Sequence, residues 1–114
     1  STGTDQNSAM DLRFGRAACF LVYDDDAGTW EAGDNKQNFE AVQGAGIQAA
    51  QNVVKLGASV LITGNVGPKA FKVLKANRII IYAAQQMTAA EAYKEFLNGR
   101  LPEMEEANVE GHWL

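Results

Sequence analysis

The spacing of apolar residues in the second half of the chain alternates between short continuous runs and helical stripes. Residues 58–63 form an apolar run that is too short for an isolated helix, which predicts a buried strand. Residues 45–56 place apolar side chains three and four positions apart and stop at Gly57, which predicts a helix with a glycine cap. Pro68 suits the first turn of a helix over residues 68–76, and Thr88 with Glu91 three residues later suits the start of a helix over residues 88–99. The apolar residues between these helices predict a strand over residues 78–83.

The first half of the chain predicts a hairpin followed by a long loop. Residues 17–23 are apolar and β-rich, an acidic turn follows, and residues 29–32 resume as a short strand. Residues 33–44 are polar and lack periodicity, which is typical of a loop. Residues 1–9 resemble the end of a strand, and we expect a few residues upstream of Ser1 to complete it.

This order of elements predicts a single α/β domain over residues 1–114, with an acidic, irregular tail over residues 100–114. Each strand–helix–strand unit is expected to be a right-handed parallel crossover, and the hairpin adds an antiparallel edge. The result is a mixed sheet of about five strands flanked by about three helices. Its ligand crevice is expected at the carboxyl ends of the parallel strands, where residues 64–68 lie.

The net charge, the cysteine count and the lengths of the apolar stretches argue against several classes of partner. The net charge of −4 argues against a nucleic-acid partner, which requires a basic face. One cysteine, Cys19, allows no internal disulfide and fits a reducing compartment. No apolar stretch approaches the ~20 residues of a membrane span. We therefore expect a cytoplasmic protein with neither a nucleic-acid nor a membrane partner.

The stretch Thr63-Gly-Asn-Val-Gly-Pro68 joins a predicted strand directly to a predicted helix. A glycine loop that opens into a helix presents backbone N–H groups and the positive end of the helix dipole, which favour an anion. The glycines of residues 44–46 begin a second helix in the same way. An ordinary tight turn between a strand and a helix explains the same residues, and the stretch alone does not decide between the two interpretations.

Several motifs in order resemble a known family. They are Phe-Gly-Arg-Ala at 14–17, Tyr23-Asp24, Gly-Ala-Gly-Ile at 44–47, Thr-Gly-Asn-Val-Gly-Pro at 63–68, Ile81-Tyr82 and the helix start at 88–92. Together they resemble the dinitrogenase iron–molybdenum cofactor biosynthesis family, and most closely its orange-protein branch. Arg13 and Gln43 stand where many members have histidine, which argues against ligation by imidazole.

The resemblance implies a ribonuclease-H-like fold and a non-enzymatic protein that carries a metal–sulfur cluster. The implied cargo is a molybdenum–copper sulfide cluster, or alternatively the iron–molybdenum cofactor or a precursor, with protein partners in assembly or delivery. Such an anion needs N–H donors, a few cations and apolar walls. The residues expected to bind it are Arg13, Phe14, Arg16, Gly44, Ala45, Gly46, Gly64, Asn65, Val66, Gly67 and Lys69, with Ile47 and Phe71 as further walls.

Direct metal ligation is considered for two side chains. Cys19 lies in an apolar strand, so it is either a packed core residue or a soft thiolate for copper(I). His112 lies in the polar tail and is either a solvated side chain or a ligand. The sequence predicts neither as a metal ligand.

Two other functions fit parts of the sequence. Asp24, Asp25 and Asp26 suggest a magnesium-dependent nuclease, but they share one turn, whereas two-metal catalysis needs carboxylates from several elements. A regulatory module that binds phosphate or a nucleotide at residues 64–68 is the second. The loop lacks the Lys-Ser/Thr ending of a phosphate-binding loop, so cluster binding is favoured.

Overall fold

A computed structural model describes residues 1–3, 5–17, 19–24, 26–35 and 45–107 of the chain. It confirms a mixed α/β fold with three helices. None of the helices within the described ranges is long and apolar enough to cross a bilayer. The elements in order are a 3-10 turn (Phe14–Arg16), β1 (Cys19–Asp24), β2 (Thr29–Asp34), α1 (Ala45–Lys55), β3 (Val60–Thr63), α2 (Pro68–Ala76), β4 (Ile80–Ala83) and α3 (Ala89–Leu97).

The strands form two separate pairs. β1 and β2 are antiparallel, with Cys19 opposite Asp34, and β3 and β4 are parallel, with Val60 opposite Ile80. The prediction of one mixed sheet of about five strands is therefore wrong for the described residues, which contain four strands in two small sheets. The helix α2 connects β3 to β4, as a parallel pair requires.

The missing strand is the one expected at the start of the chain. Part of this segment forms local turns, in which Thr2 N–H donates to Ala9 O at 2.9 Å and Asn7 N–H donates to the Asp5 carboxylate at 2.8 Å. Other groups pair with the start of α3, where Ala89 N–H donates to Ser8 O at 3.0 Å. Asp, Asn and Ser side chains favour such turns over strands. Among the described residues of this segment, only the backbone of Ser1 pairs with β1, through Cys19.

The hydrophobic core lies between the β3–β4 pair and helices α1 and α2. α1 buries Ala49, Ala50 and Val53, and α2 buries Ala70 and Leu74. These positions repeat every three or four residues, so each helix turns one apolar stripe inward. The core thereby fixes the start of α2 relative to the end of β3.

The segment after α3 lies along β4. Ala83 N–H donates to Pro102 O at 3.0 Å, Met104 N–H donates to Ile81 O at 2.7 Å, and Met104 is buried. The beginning of the tail that was predicted to be irregular therefore covers the edge of β4. Residues 108–114 lie outside the described part of the chain.

A capping box formed by Thr88 and Glu91 begins α3 and makes the stability of the fold depend on pH. Thr88 Oγ1 accepts from Glu91 N–H at 3.2 Å, and the Glu91 carboxylate accepts from Thr88 N–H at 3.0 Å. The backbone and then the side-chain hydrogen bond with Thr88 lower the pKa of Glu91 below its ordinary value of 4.5. A lowered pKa stabilises the fold above the ordinary value, and this stabilisation disappears as pH falls through the lowered pKa.

We expect Glu91→Gln to lower the melting temperature at pH 7, with the difference from the unmodified protein shrinking as pH falls below about 4. Thermal unfolding followed by circular dichroism between pH 2.5 and 7 measures this. Glu105→Gln, at an exposed position, is the control and should show no such trend. A Glu91→Gln deficit that is constant with pH would contradict the capping role of the carboxylate.

Candidate functional site

The candidate site is built around the loop that joins β3 to α2. The backbone leaves β3 at Thr63 and passes through Gly64 and Gly67 before Pro68 begins the helix. Gly67 occupies the N-cap position of α2 in an extended conformation and, as a glycine, provides no capping side chain. Pro68 occupies the first turn, where a missing N–H costs nothing. The loop therefore ends on an uncapped helix N-terminus at the carboxyl end of a parallel strand.

Several backbone N–H groups at the start of α2 are available as hydrogen-bond donors. Within the described residues, the N–H groups of Gly67, Lys69 and Ala70 make no hydrogen bond. The first N–H groups of a helix lack intrahelical partners, and together with the helix dipole they amount to roughly half a positive charge. Gly67 is buried and Lys69 is exposed, so the donors lie at the border between core and solvent. The arrangement suits an anion.

Two hydrogen bonds fasten this loop to the segment before the 3-10 turn. Asn65 N–H donates to Leu12 O at 2.7 Å, and Phe14 N–H donates to Asn65 O at 3.1 Å, so that Arg13 and Asn65 form a parallel bridge. The Leu12 backbone passes directly over Gly64. A Cβ at Gly64 would lie 2.8 Å from both Leu12 Cα and Leu12 O. Glycine is therefore required here by close backbone approach.

We expect Gly64→Ala to destabilise the protein by roughly 1–3 kcal/mol, because the added methyl group forces the Leu12 backbone away from the loop. Urea unfolding gives the size of the loss, and amide chemical shifts of Leu12 and Phe14 should report the displacement. Gly57→Ala is a useful comparison, since its cost arises from a positive φ of 77° and not from a close contact. Unchanged shifts at Leu12 in Gly64→Ala would show that the loop tolerates a side chain.

The predicted apolar walls divide into two groups by burial. Phe14 and Val66 are 1% and 0% exposed, and the Phe14 ring packs 5.4 Å from the Phe20 ring. Their side chains lie in the core and support the loop from beneath. Ile47 and Phe71 are half-buried, so part of each side chain reaches the surface.

The helix α1 packs against both α2 and the 3-10 turn. Ala45 and Gly46 form its first turn, as predicted for a second helix start. Gly44, the third residue assigned to this start, lies outside the described residues. The two predicted helix starts therefore belong to two helices that pack against each other.

A buried polar residue that the sequence analysis placed in the long loop holds this region together. Asn35 is fully buried; its Nδ2 donates to Ala17 O at 2.8 Å, and its Oδ1 accepts from Asn52 Nδ2 at 2.7 Å. It thus ties the end of β2 to the residue after the 3-10 turn and to α1. No signal in the sequence singles out Asn35, because the strand was predicted to end at residue 32 and β2 in fact continues to Asp34.

Of the predicted cations, Arg13 lies beside the loop, where it forms the backbone bridge with Asn65, and its side chain already has a partner. Arg13 is largely exposed, and its Nε lies 3.6 Å from Asp11 Oδ1, which also accepts from Arg13 N–H at 2.9 Å. Such an exposed pair contributes little and competes only weakly with an anion. Arg16 ends the 3-10 turn, and Lys69 is in the first turn of α2. Their role as cluster-binding residues stays a prediction.

Of the two side chains considered for metal ligation, the structure describes Cys19 alone. Cys19 is buried, and its Sγ donates to Gly3 O at 2.6 Å, which fits a packed thiol. His112 lies outside the described residues. Among the residues described, no group of three or more His, Cys, Asp or Glu side chains is positioned to hold a metal ion.

The acidic hairpin turn considered for a nuclease has a local explanation. Asp24 Oδ1 accepts from Asp26 N–H at 2.9 Å and from Ala27 N–H at 3.2 Å, and Gly28 supplies a positive φ of 68°. Asp24 therefore shapes the turn, as Asp commonly does. Asp25 lies outside the described residues.

Comparison with known proteins gives consistent matches over nearly the whole chain. The apo form of the orange protein from Desulfovibrio gigas matches with a TM-score of 0.92 and 40% identity, over 96% of this chain and 92% of that chain. A putative NifB protein from Thermotoga matches with a TM-score of 0.84 and 36% identity, over 97% and 94% of the two chains. An uncharacterized protein of Methanocaldococcus jannaschii is 30% identical over 104 residues, which is 87% of this chain and 86% of that protein.

The model of the family described as dinitrogenase iron-molybdenum cofactor matches residues 1–99. That range contains the glycine loop, the 3-10 turn and the start of α1, which together form the candidate site. The resemblance carried by the ordered motifs is confirmed, and the chain belongs to the dinitrogenase iron–molybdenum cofactor family.

Proposed function

We propose that this protein binds and carries an anionic metal–sulfur cluster without covalent attachment and without catalysing a reaction. The observation that supports it most is the start of α2, where Gly67, Lys69 and Ala70 N–H groups make no hydrogen bond within the described residues. A cluster whose metals are already held by its own sulfides needs no protein thiolates, which suits a chain with one cysteine. The chain also belongs to the family described as dinitrogenase iron-molybdenum cofactor, which supports a metal–sulfur cluster as the ligand.

The cargo we propose is a molybdenum–copper sulfide cluster, since the orange protein is among the similar structures. The alternative cargo is the iron–molybdenum cofactor or a precursor of it. We further propose that the protein has a ribonuclease-H-like fold and acts in the reducing cytoplasm. Arg13, Arg16 and Lys69 supply local positive charge. A cation about 5 Å from an anion contributes about 3 kcal/mol at an effective dielectric near 20. Carboxylates beyond about 8 Å are largely screened, so the net charge of −4 does not oppose binding.

Anaerobic incubation of the protein with tetrathiomolybdate and copper(I) should give a coloured complex in which molybdenum and copper co-elute with the protein on gel filtration. In ¹H–¹⁵N spectra, the amides of Gly67, Lys69 and Ala70 should shift most. A protein that stays colourless and elutes without metal would refute the proposal.

Inorganic phosphate and a nucleotide serve as matched anions in the same titration. Cluster binding predicts that neither displaces the colour at equal concentration. If calorimetry instead shows tight nucleotide binding and the same amides shift, the regulatory phosphate-binding module is the correct function and the cluster proposal fails.

A further inference from the structure

Positive and negative charges are segregated along the chain. Residues 45–90, all of which the structure describes, contain five of the ten lysine and arginine residues and none of the fourteen acidic residues. The five cations are all exposed, and they are Lys55, Lys69, Lys72, Lys75 and Arg78. Because the net charge of the whole chain is −4, the remainder of the chain is strongly acidic. The protein therefore combines a basic portion with an acidic one.

Three of these cations form one surface along α2, which we call the basic face. Lys69, Lys72 and Lys75 are spaced three residues apart, so their side chains are neighbours on the helix. Arg78 adds a fourth cation two residues after the last residue of α2. None of the ion pairs among the described residues involves these four side chains. Their charges are therefore available to a partner.

The stability of α2 does not explain these cations. Lys69 lies in the first turn, which contains no acidic residue, and a cation there is repelled by the positive end of the helix dipole. Like charges three residues apart also repel each other, and only Lys75, in the last turn, suits the dipole. Arg78 adopts a positive φ of 61°, a conformation that glycine takes at lower cost. A binding role accounts for this concentration of charge, whereas folding does not.

We propose that the basic face is a docking surface for an acidic patch on a partner protein. Charge complementarity identifies the partner, since three exposed cations on a short helix, with a fourth directly after it, attract carboxylates. The face continues into the candidate site, because Lys69 belongs to both. A docked partner therefore lies beside the glycine loop. The inference rests on the proposed function only where it assigns to this partner the transfer of the cluster.

A protein fits this surface better than a nucleic acid does. α2 has nine residues and is about 14 Å long. Duplex DNA carries a negative charge about every 1.7 Å along its axis, so it extends past the face, where the acidic remainder of the chain repels its phosphates. An acidic patch on a protein can match the length of α2 alone. Because the charges are exposed, salt weakens their attraction, and the partner can dissociate readily after transfer.

The test is a titration of the unloaded 114-residue protein, labelled with ¹⁵N, with a helical peptide of about 15 residues that carries glutamates three and four positions apart. At about 50 mM salt the amides of Lys72, Lys75 and Arg78 should shift, and the affinity should fall at least about 10-fold at about 500 mM salt. Lys72→Gln/Lys75→Gln should lower the affinity by about 10-fold. The matched control, Lys94→Gln/Arg100→Gln, removes the same net charge from exposed positions outside the basic face and should bind as the unmodified protein does. Equal losses in the two variants, or no shift in the unmodified protein, would overturn the proposal.

Three further probes decide the class of partner. The same peptide with glutamine in place of each glutamate should not bind. A short DNA duplex and vesicles that contain phosphatidylserine should shift or broaden the three amides less than the acidic peptide does at equal charge concentration. A stronger effect of either one would mean that the partner is not a protein and that the proposal is wrong. No cluster is present in these titrations, so their failure leaves the proposed function intact, and a failure to bind cluster leaves the docking surface intact.

Discussion

Replacing Phe14 by alanine is expected to lower the free energy of unfolding by about 3–5 kcal/mol. The ring is 1% exposed, contacts the Phe20 ring at a centroid distance of 5.4 Å, and belongs to the main core cluster with Leu74 and Val66. Removing it leaves a cavity beneath the glycine loop. Since small domains are stable by only about 5–15 kcal/mol, the loss is a large part of the total.

Urea unfolding of Phe14→Ala, Phe14→Leu and Phe71→Ala separates packing from any direct role in binding. Phe71 is only half-buried, so its truncation should cost clearly less. Phe14→Leu keeps most of the volume and should stay folded. If Phe14→Ala costs no more than Phe71→Ala, the ring is not a core residue. If Phe14→Leu folds normally but no longer retains the cluster, the ring also contacts the cargo.

The double variant Arg13→Ala/Arg16→Ala is expected to weaken cluster affinity by about 10- to 100-fold, or about 1.4–2.7 kcal/mol. Each lost cation would contribute about 3 kcal/mol at 5 Å, and solvent exposure of Arg13 reduces that figure. Stability should change little, because the only described ion pair of Arg13 is the exposed contact with Asp11. Titration of cluster into each protein, followed by its visible absorbance, gives the affinity.

Lys72→Ala/Lys75→Ala is the matched control, since it removes the same net charge from exposed positions of α2 beyond its first turn. It should retain nearly full affinity. A second comparison, Arg13→Lys/Arg16→Lys, keeps the charge and should recover most of the binding. Equal weakening by the lysine-to-alanine and arginine-to-alanine variants would mean that long-range charge, and not the two arginines, attracts the cluster.

The helices were predicted well from the sequence because residues that favour helix starts or ends stand at their termini. Gly57 takes a positive φ after α1, Pro68 begins α2, and Thr88 with Glu91 forms the capping box of α3. The strands were predicted within about two residues at each end. Their assembly was not, because the pairing of strands depends on partners distant in the chain.

The candidate site was only partly predictable for the same reason. The glycine loop is a continuous motif, and it lies at the end of a parallel strand as expected. The buried Asn35, by contrast, is defined by contacts with Ala17 and Asn52, which no local pattern reveals. Burial of Phe14 and Val66 also follows from packing across elements. A sequence motif therefore predicted the position of the glycine loop, but not the residues that support it.

The two hydrogen bonds between Asn65 and the Leu12–Phe14 segment join parts of the chain that are far apart in sequence. The loop therefore needs the Leu12–Phe14 segment packed against it to hold its shape. An unfolded chain lacks this arrangement and so has no binding site for the cluster. A ligand that binds only the native state adds to its stability by mass action, about 2.7 kcal/mol at a free concentration of 100 times Kd. If the protein binds a cluster as proposed, the loaded form should accordingly resist proteolysis longer than the empty form, and its amount would rise with the supply of the cluster.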